Sequence, residues 1–169
     1  MATDAVQILP RFPGPVTLYP SRKKWLLVFA GSALFAIGGA WMIRSGEGTG
    51  WFVLIVFGLG ALIAAAAMLP GAGALMLDRD GFEVTSLFRR HRCRWQDTDG
   101  FAAARIPPAR QSMVVYDDVN QRTKSIAKIN VSITGRNSAV PDTYGLSADD
   151  LAAVMAQWRE RASGRNGPR

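Results

Sequence analysis

His91 and Cys93 are the chain's single histidine and single cysteine, and they stand two residues apart. An imidazole can activate a thiol, and both groups ligate zinc, so the pair invites nucleophilic or metal chemistry. The spacing opposes the first. On a strand, residues i and i+2 share a face but lie about 7 Å apart along it, too far for a direct base–nucleophile hydrogen bond. No further histidine or cysteine exists to complete a usual zinc site. The expectation is a partly buried His and Cys, with no catalytic residue, no metal ligand and no cofactor. A lone cysteine also excludes an intrachain disulfide and every multi-cysteine cluster.

Asp97 with Asp99, and Asp117 with Asp118, are the paired carboxylates. Acid–base work on a substrate needs two such groups facing each other across a cleft. Both pairs lie in turn-like sequence, where an Asp bonds its own neighbouring backbone, and turn chemistry accounts for them without a substrate. The chain is therefore not expected to be an enzyme.

Arg89, Arg90, Arg92 and Arg94 form the one dense basic cluster. Beside a bilayer, each such residue contributes about 1 kcal/mol toward anionic headgroups, which makes the four candidate lipid contacts. The competing account is a solvated strand face whose charge only serves topology. The formal net charge is +7, but no basic run is long enough for a nucleic-acid arm, so nucleic acid is not an expected partner.

The elements that would position these residues begin with two apolar runs. Residues 25–43 read WLLVFAGSALFAIGGAWMI and residues 51–69 read WFVLIVFGLGALIAAAAML, both without a charge. Each is long enough to cross about 30 Å of hydrocarbon. Residues 44–50 between them form a short turn, so the two make an antiparallel hairpin with both outer ends on one side. Arg22, Lys23 and Lys24 precede the first run, and Arg79, Arg89 and Arg90 come after the second, while the turn offers only Arg44. The positive-inside rule then assigns both termini to the cytoplasm. Trp25, Trp41 and Trp51 sit at run ends, where an indole anchors at the headgroup level, as Arg22, Lys23 and Lys24 do by charge.

Ser32, Ala36 and Ala40 on the first run, with Gly60 and Ala64 or Ala61 and Ala65 on the second, would let the backbones approach closely. The same small residues would equally serve a homo-oligomer. The apolar run exceeds a signal peptide's core of 7–15 residues, so cleavage is not expected. Neither run carries an ionisable side chain, which argues against a transporter or channel. Gly58-x-Gly60 lies inside an apolar helix with no strand before it, so it is no dinucleotide loop.

Only residues 70–73 separate the second run from the remainder of the chain, a linker short enough to hold the next domain at the membrane surface. There the period changes to two. Leu75 and Leu77, a turn at Arg79-Asp80-Gly81, then Phe82, Val84, Ser86 and Phe88 predict a β-hairpin. His91, Cys93 and Trp95 alternate with Arg90, Arg92 and Arg94 on a third strand. Further strands are predicted at 101–106, 113–116, 123–126 and 128–134. Leu146, Leu151, Val154, Met155 and Trp158 then fit one helical face, opened by a Ser147-x-x-Asp150 capping box. Residues 163–169 read as a disordered tail.

Six or seven short strands closed by an amphipathic helix resemble a pleckstrin-homology (PH) fold. The hairpin of apolar helices, the strands around Arg79-Asp80-Gly81-Phe82, the Trp95-Gln96-Asp97 segment and the ending Gly135 to Leu146, with Pro141-Asp142-Thr143-Tyr144-Gly145, are similar to a bacterial family of membrane-anchored PH-like proteins. The resemblance spans Tyr19 to about Ala162, rests on structural motifs, and implies architecture and location rather than an activity. It implies an α+β inner-membrane protein: a cytoplasmic segment at 1–24, a transmembrane hairpin, and a cytoplasmic PH-like β-barrel or sandwich at 74–162 capped by its C-terminal helix. The expected role is a non-catalytic interaction module for another membrane protein, with anionic lipid as the alternative ligand. PH domains that grip phosphoinositides use the loop after their first strand, and here that loop is the tight Arg79-Asp80-Gly81 turn.

Overall fold

Pro10, Pro13, Pro15 and Pro20 interrupt regular structure ahead of the first apolar run, and among the described residues there Val16–Leu18 forms a strand. A computed structural model describes residues 5–106, 111–121, 131–132 and 134–164, and every element named here belongs to those residues. They form two units, one holding the apolar hairpin and one holding two antiparallel sheets with a C-terminal helix.

The hairpin unit contains α2 (Arg22–Arg44) and α3 (Thr49–Ala67), preceded in the chain by the single turn α1 (Ala5–Ile8) of the other unit. Both helices are long and apolar enough to cross a membrane. Arg22, Lys23 and Lys24 occupy the first turn of α2 rather than preceding it, a position that opposes the helix dipole. The helices pack through small residues, as expected: a Cβ at Gly60 would lie 3.3 Å from Ser32 Oγ, and Ala64 is fully buried. The tightest approach is elsewhere. A Cβ at Gly39 would lie 2.7 Å from the Leu54 backbone nitrogen, and one at Gly50 2.7 Å from the Gly39 carbonyl, so both positions must be glycine. Phe35 and Phe57 stack with ring centroids 4.7 Å apart.

In the other unit, the first sheet runs β1 (Val16–Leu18), β2 (Gly73–Leu77), β3 (Gly81–Ser86), β4 (Arg89–Arg94). The second runs β5 (Thr98–Ile106), β6 (Gln111–Asp118), β7 (Ser138–Ala139). The two are separate sheets, and among the described residues they do not close into the β-barrel that the PH resemblance allowed. A register shift between Asp99 and Ala102 bends β5 at Gly100, whose φ of +64° favours glycine.

Residues 5–20 are not a separate segment. Val16 and Leu18 of β1 pair with Leu77 and Leu75 of β2, and with Ile8 they enter the buried core. The apolar hairpin is therefore an insertion between two paired strands. Helix α4 (Ala148–Gly164) buries Leu151, Val154, Met155 and Trp158, the face expected from the spacing, and packs on β5 and β6. Ser147 Oγ accepts the Asp150 N–H at 3.0 Å and donates to Asp150 Oδ2 at 2.7 Å, closing the predicted box.

Some expectations shift. The hairpin strands at 73–86 form around a turn in which Asp78 Oδ1 accepts the Asp80 and Gly81 N–H groups, both at 2.9 Å. Phe88 leaves the predicted strand for a turn with Leu87, at φ values of +66° and +45°. Trp95 opens a 3-10 turn, Trp95–Asp97, instead of continuing β4. Of the strand expected at 128–134, Val131, Ser132 and Thr134 are helical, and the strand expected at 123–126 lies outside the described residues. Ser163 and Gly164 belong to α4, whereas the rest of the expected tail lies outside the described residues.

Candidate functional site

The four arginines of β4 are exposed, but they do not form a uniform positive face. Arg92 donates to Asp78 Oδ2 at 2.6 Å, and Arg90 lies 3.7 Å from Glu83 Oε1. Asp78 comes directly after β2 and Glu83 belongs to β3, so carboxylates of the same sheet answer two of the four guanidiniums. Exposed pairs of this kind contribute little to stability, yet they lower the charge offered to a flat anionic surface.

Arg94 is different. With Arg79, Arg92 and Gln96 it lines a cleft of about 460 Å³, bounded also by Asp80 and by Ser163 at the C-terminal end of α4. Among the described residues neither Arg79 nor Arg94 pairs with a carboxylate. Trp95 fixes the wall: its side chain is buried, it donates from Nε1 to the Asp78 carbonyl at 2.9 Å, and its ring meets Phe82 at 5.3 Å. The cleft thus offers two unopposed guanidiniums beside an amide and a carboxylate. In the sequence Arg79 reads only as a topology signal, because its approach to β4 depends on the fold.

Trp41 is 73% exposed and Trp51 is exposed as well, at the turn end of the hairpin. Trp25 is half-buried in the first turns of α2, next to exposed Arg22, Lys23 and Lys24.

Of the carboxylates, Asp99 lies 3.0 Å from Arg159 Nη1, and Asp117 lies 2.5 Å from Arg136 Nη1. Asp118 has another setting. Its side chain is 2% exposed, its Oδ1 accepts the Asn120 N–H at 2.8 Å, and its Oδ2 has Cys93 Sγ and His91 Nε2 each at 3.7 Å. The turn reading explains Oδ1 but not Oδ2. Burial pushes the Cys93 thiol up to about 11, despite a lowering contribution from the Tyr116 hydroxyl 3.7 Å away. Burial raises the Tyr116 phenol too.

No family model, no curated protein and no solved structure matches this chain.

Proposed function

We propose that this chain is a membrane-anchored, non-catalytic PH-like interaction module at the cytoplasmic face of a bacterial inner membrane, and that its cleft takes an acidic segment of another membrane protein. The cleft itself carries the reading, because Arg79 and Arg94 converge on it without carboxylate partners among the described residues.

The anchor rests on α2 and α3. Their large apolar side chains, among them Leu27, Leu34, Ile37, Phe52 and Leu62, point outward and are exposed, an arrangement suited to lipid and costly in water. Lys and Arg asymmetry supports cytoplasmic termini. Among the described residues, six strands after the hairpin and a C-terminal helix support the PH-like reading, with β1 added to the same sheet from before the hairpin. The arginine partners of Asp99 and Asp117, which leave neither pair facing across a cleft, support a domain without acid–base chemistry of its own.

A peptide suits the cleft better than a layer of headgroups for two reasons. Arg90 and Arg92 are already answered by Glu83 and Asp78, and the wall mixes guanidiniums with Asp80 and Gln96, giving both donors and acceptors. The test is full-length protein in nanodiscs of neutral lipid, titrated with a soluble glutamate-rich peptide. Salt-sensitive binding that weakens about tenfold or more in Arg79→Ser and Arg94→Ser is expected. Absence of peptide binding, with anionic phospholipid retained by the purified protein, would replace this reading by the headgroup one.

A further inference from the structure

His91 and Cys93 of β4 and Asp118 at the end of β6 bring an imidazole nitrogen, a sulfur and a carboxylate oxygen within 4.8 Å of one another. This cluster is distinct from the arginine cleft and plays no part in peptide binding there. We propose that it is a binding site for one divalent, borderline-soft cation, with Zn²⁺ the best match, which clips the first sheet to the second.

Three observations carry the assignment. The first is geometric. Zinc bonds of about 2.3 Å to sulfur and about 2.0–2.2 Å to nitrogen and oxygen, at tetrahedral angles, place S and O about 3.6 Å apart and N and O about 3.4 Å apart. The observed Cys93 Sγ–Asp118 Oδ2 and His91 Nε2–Asp118 Oδ2 separations are both 3.7 Å, near these values, while sulfur and imidazole nitrogen lie within 4.8 Å of each other, so the exposed imidazole would swing toward the sulfur to complete the set.

The second is the state of Asp118. A carboxylate only 2% exposed requires compensation, and the Oδ2–His91 separation of 3.7 Å exceeds the 2.7–3.2 Å of an N–H···O hydrogen bond. Among the described residues the donor to that oxygen is the weak Cys93 thiol at 3.7 Å, a contact that a cation between these atoms would replace with a stronger bond. The third is charge. A thiolate and a carboxylate neutralise a divalent ion, so the loaded cluster is close to neutral where Asp118 and Cys93 are buried. On binding, Cys93 releases its thiol proton to solvent, its sulfur bonds the metal, and His91 binds through a neutral Nε2.

Exposure sets the route of entry and the fourth position. His91 is 51% exposed and Cys93 is buried, so the ion arrives from the imidazole side. The remaining ligand is water or Gln121, whose amide nitrogen lies 3.3 Å from His91 Nε2; turning that amide over presents its oxygen instead. The Tyr116 hydroxyl, 3.7 Å from Sγ, is placed to donate to the thiolate.

The experiment uses the untagged full-length protein in detergent under a non-thiol reductant, because the chain's own histidine and cysteine are then the only ones present. Titration with Co²⁺ should give a thiolate-to-cobalt charge-transfer band and tetrahedral visible bands, saturating at one equivalent and abolished by Zn²⁺. Cys93→Ser should remove the charge-transfer band. His91→Ala, at an exposed position that leaves the core intact, should weaken cobalt binding about tenfold or more while far-ultraviolet circular dichroism is unchanged. Absence of a saturable cobalt band would overturn the assignment, as would a band that folded His91→Ala leaves at full affinity.

Discussion

Val16 and Leu77 face each other across the β1–β2 ladder although the whole apolar hairpin lies between them in the chain. The sheet-containing unit is therefore built from chain on both sides of the apolar hairpin. Residues 19–21 and 68–72 connect the paired strands to α2 and α3.

A fragment that begins after the hairpin, residues 72–169, should consequently fail to fold cooperatively. It lacks Ile8, Val16 and Leu18, each worth about 1.5–3 kcal/mol on full burial, against a total stability of about 5–15 kcal/mol. Joining residues 1–20 to 72–169 through a short Gly/Ser linker should restore a single sharp urea transition. Equal stability of the two fragments would contradict the β1 pairing.

The hairpin offers a test in two adjacent residues. Gly39→Ala should destabilise the folded protein by about 1–3 kcal/mol, since the new methyl would meet the Leu54 backbone nitrogen at 2.7 Å. Gly38→Ala, with nothing within 4 Å, should be neutral or slightly stabilising through helix propensity. Thermal melts of the two variants in detergent check the difference, and similar melts would argue against this seam.

Trp158 is fully buried on α4 and meets the Phe12 ring edge-on at 5.3 Å. Trp158→Ala should cost about 3–5 kcal/mol. Trp158→Phe should cost far less than this, because the Trp158 Nε1–H is buried with no acceptor among the described residues and its loss forfeits no hydrogen bond. Chemical denaturation of the linker-joined domain, once shown to fold, reads both values.

What was legible in the sequence was local. The capping box at Ser147, the buried stripe of α4, the β2–β3 turn at Asp78 and the two apolar helices all come from spacing within a dozen residues or from an uninterrupted apolar run. Strand β1 was hidden because three residues are too few to show a period and prolines surround them. Leu87 and Phe88 gave no warning of a turn, since neither residue type favours positive φ. The pairs Arg90–Glu83 and Arg92–Asp78, the approach of Arg79 to Arg94, and the meeting of Asp118 with His91 and Cys93 all require strands to be placed beside one another. Register and sheet packing decide those contacts, and a strand's own residues do not disclose which neighbour it will face.

The central claim is that the arginine cleft receives a protein, and crosslinking in cells tests it most directly. Exposed Gln96 in the cleft wall is replaced by a photoreactive amino acid in the full-length chain, which is irradiated in living cells and purified in detergent. The account predicts a discrete adduct with one membrane protein, lost when Arg79 and Arg94 are both changed to serine. An adduct with lipid alone, or a protein adduct unaffected by those two substitutions, would contradict it.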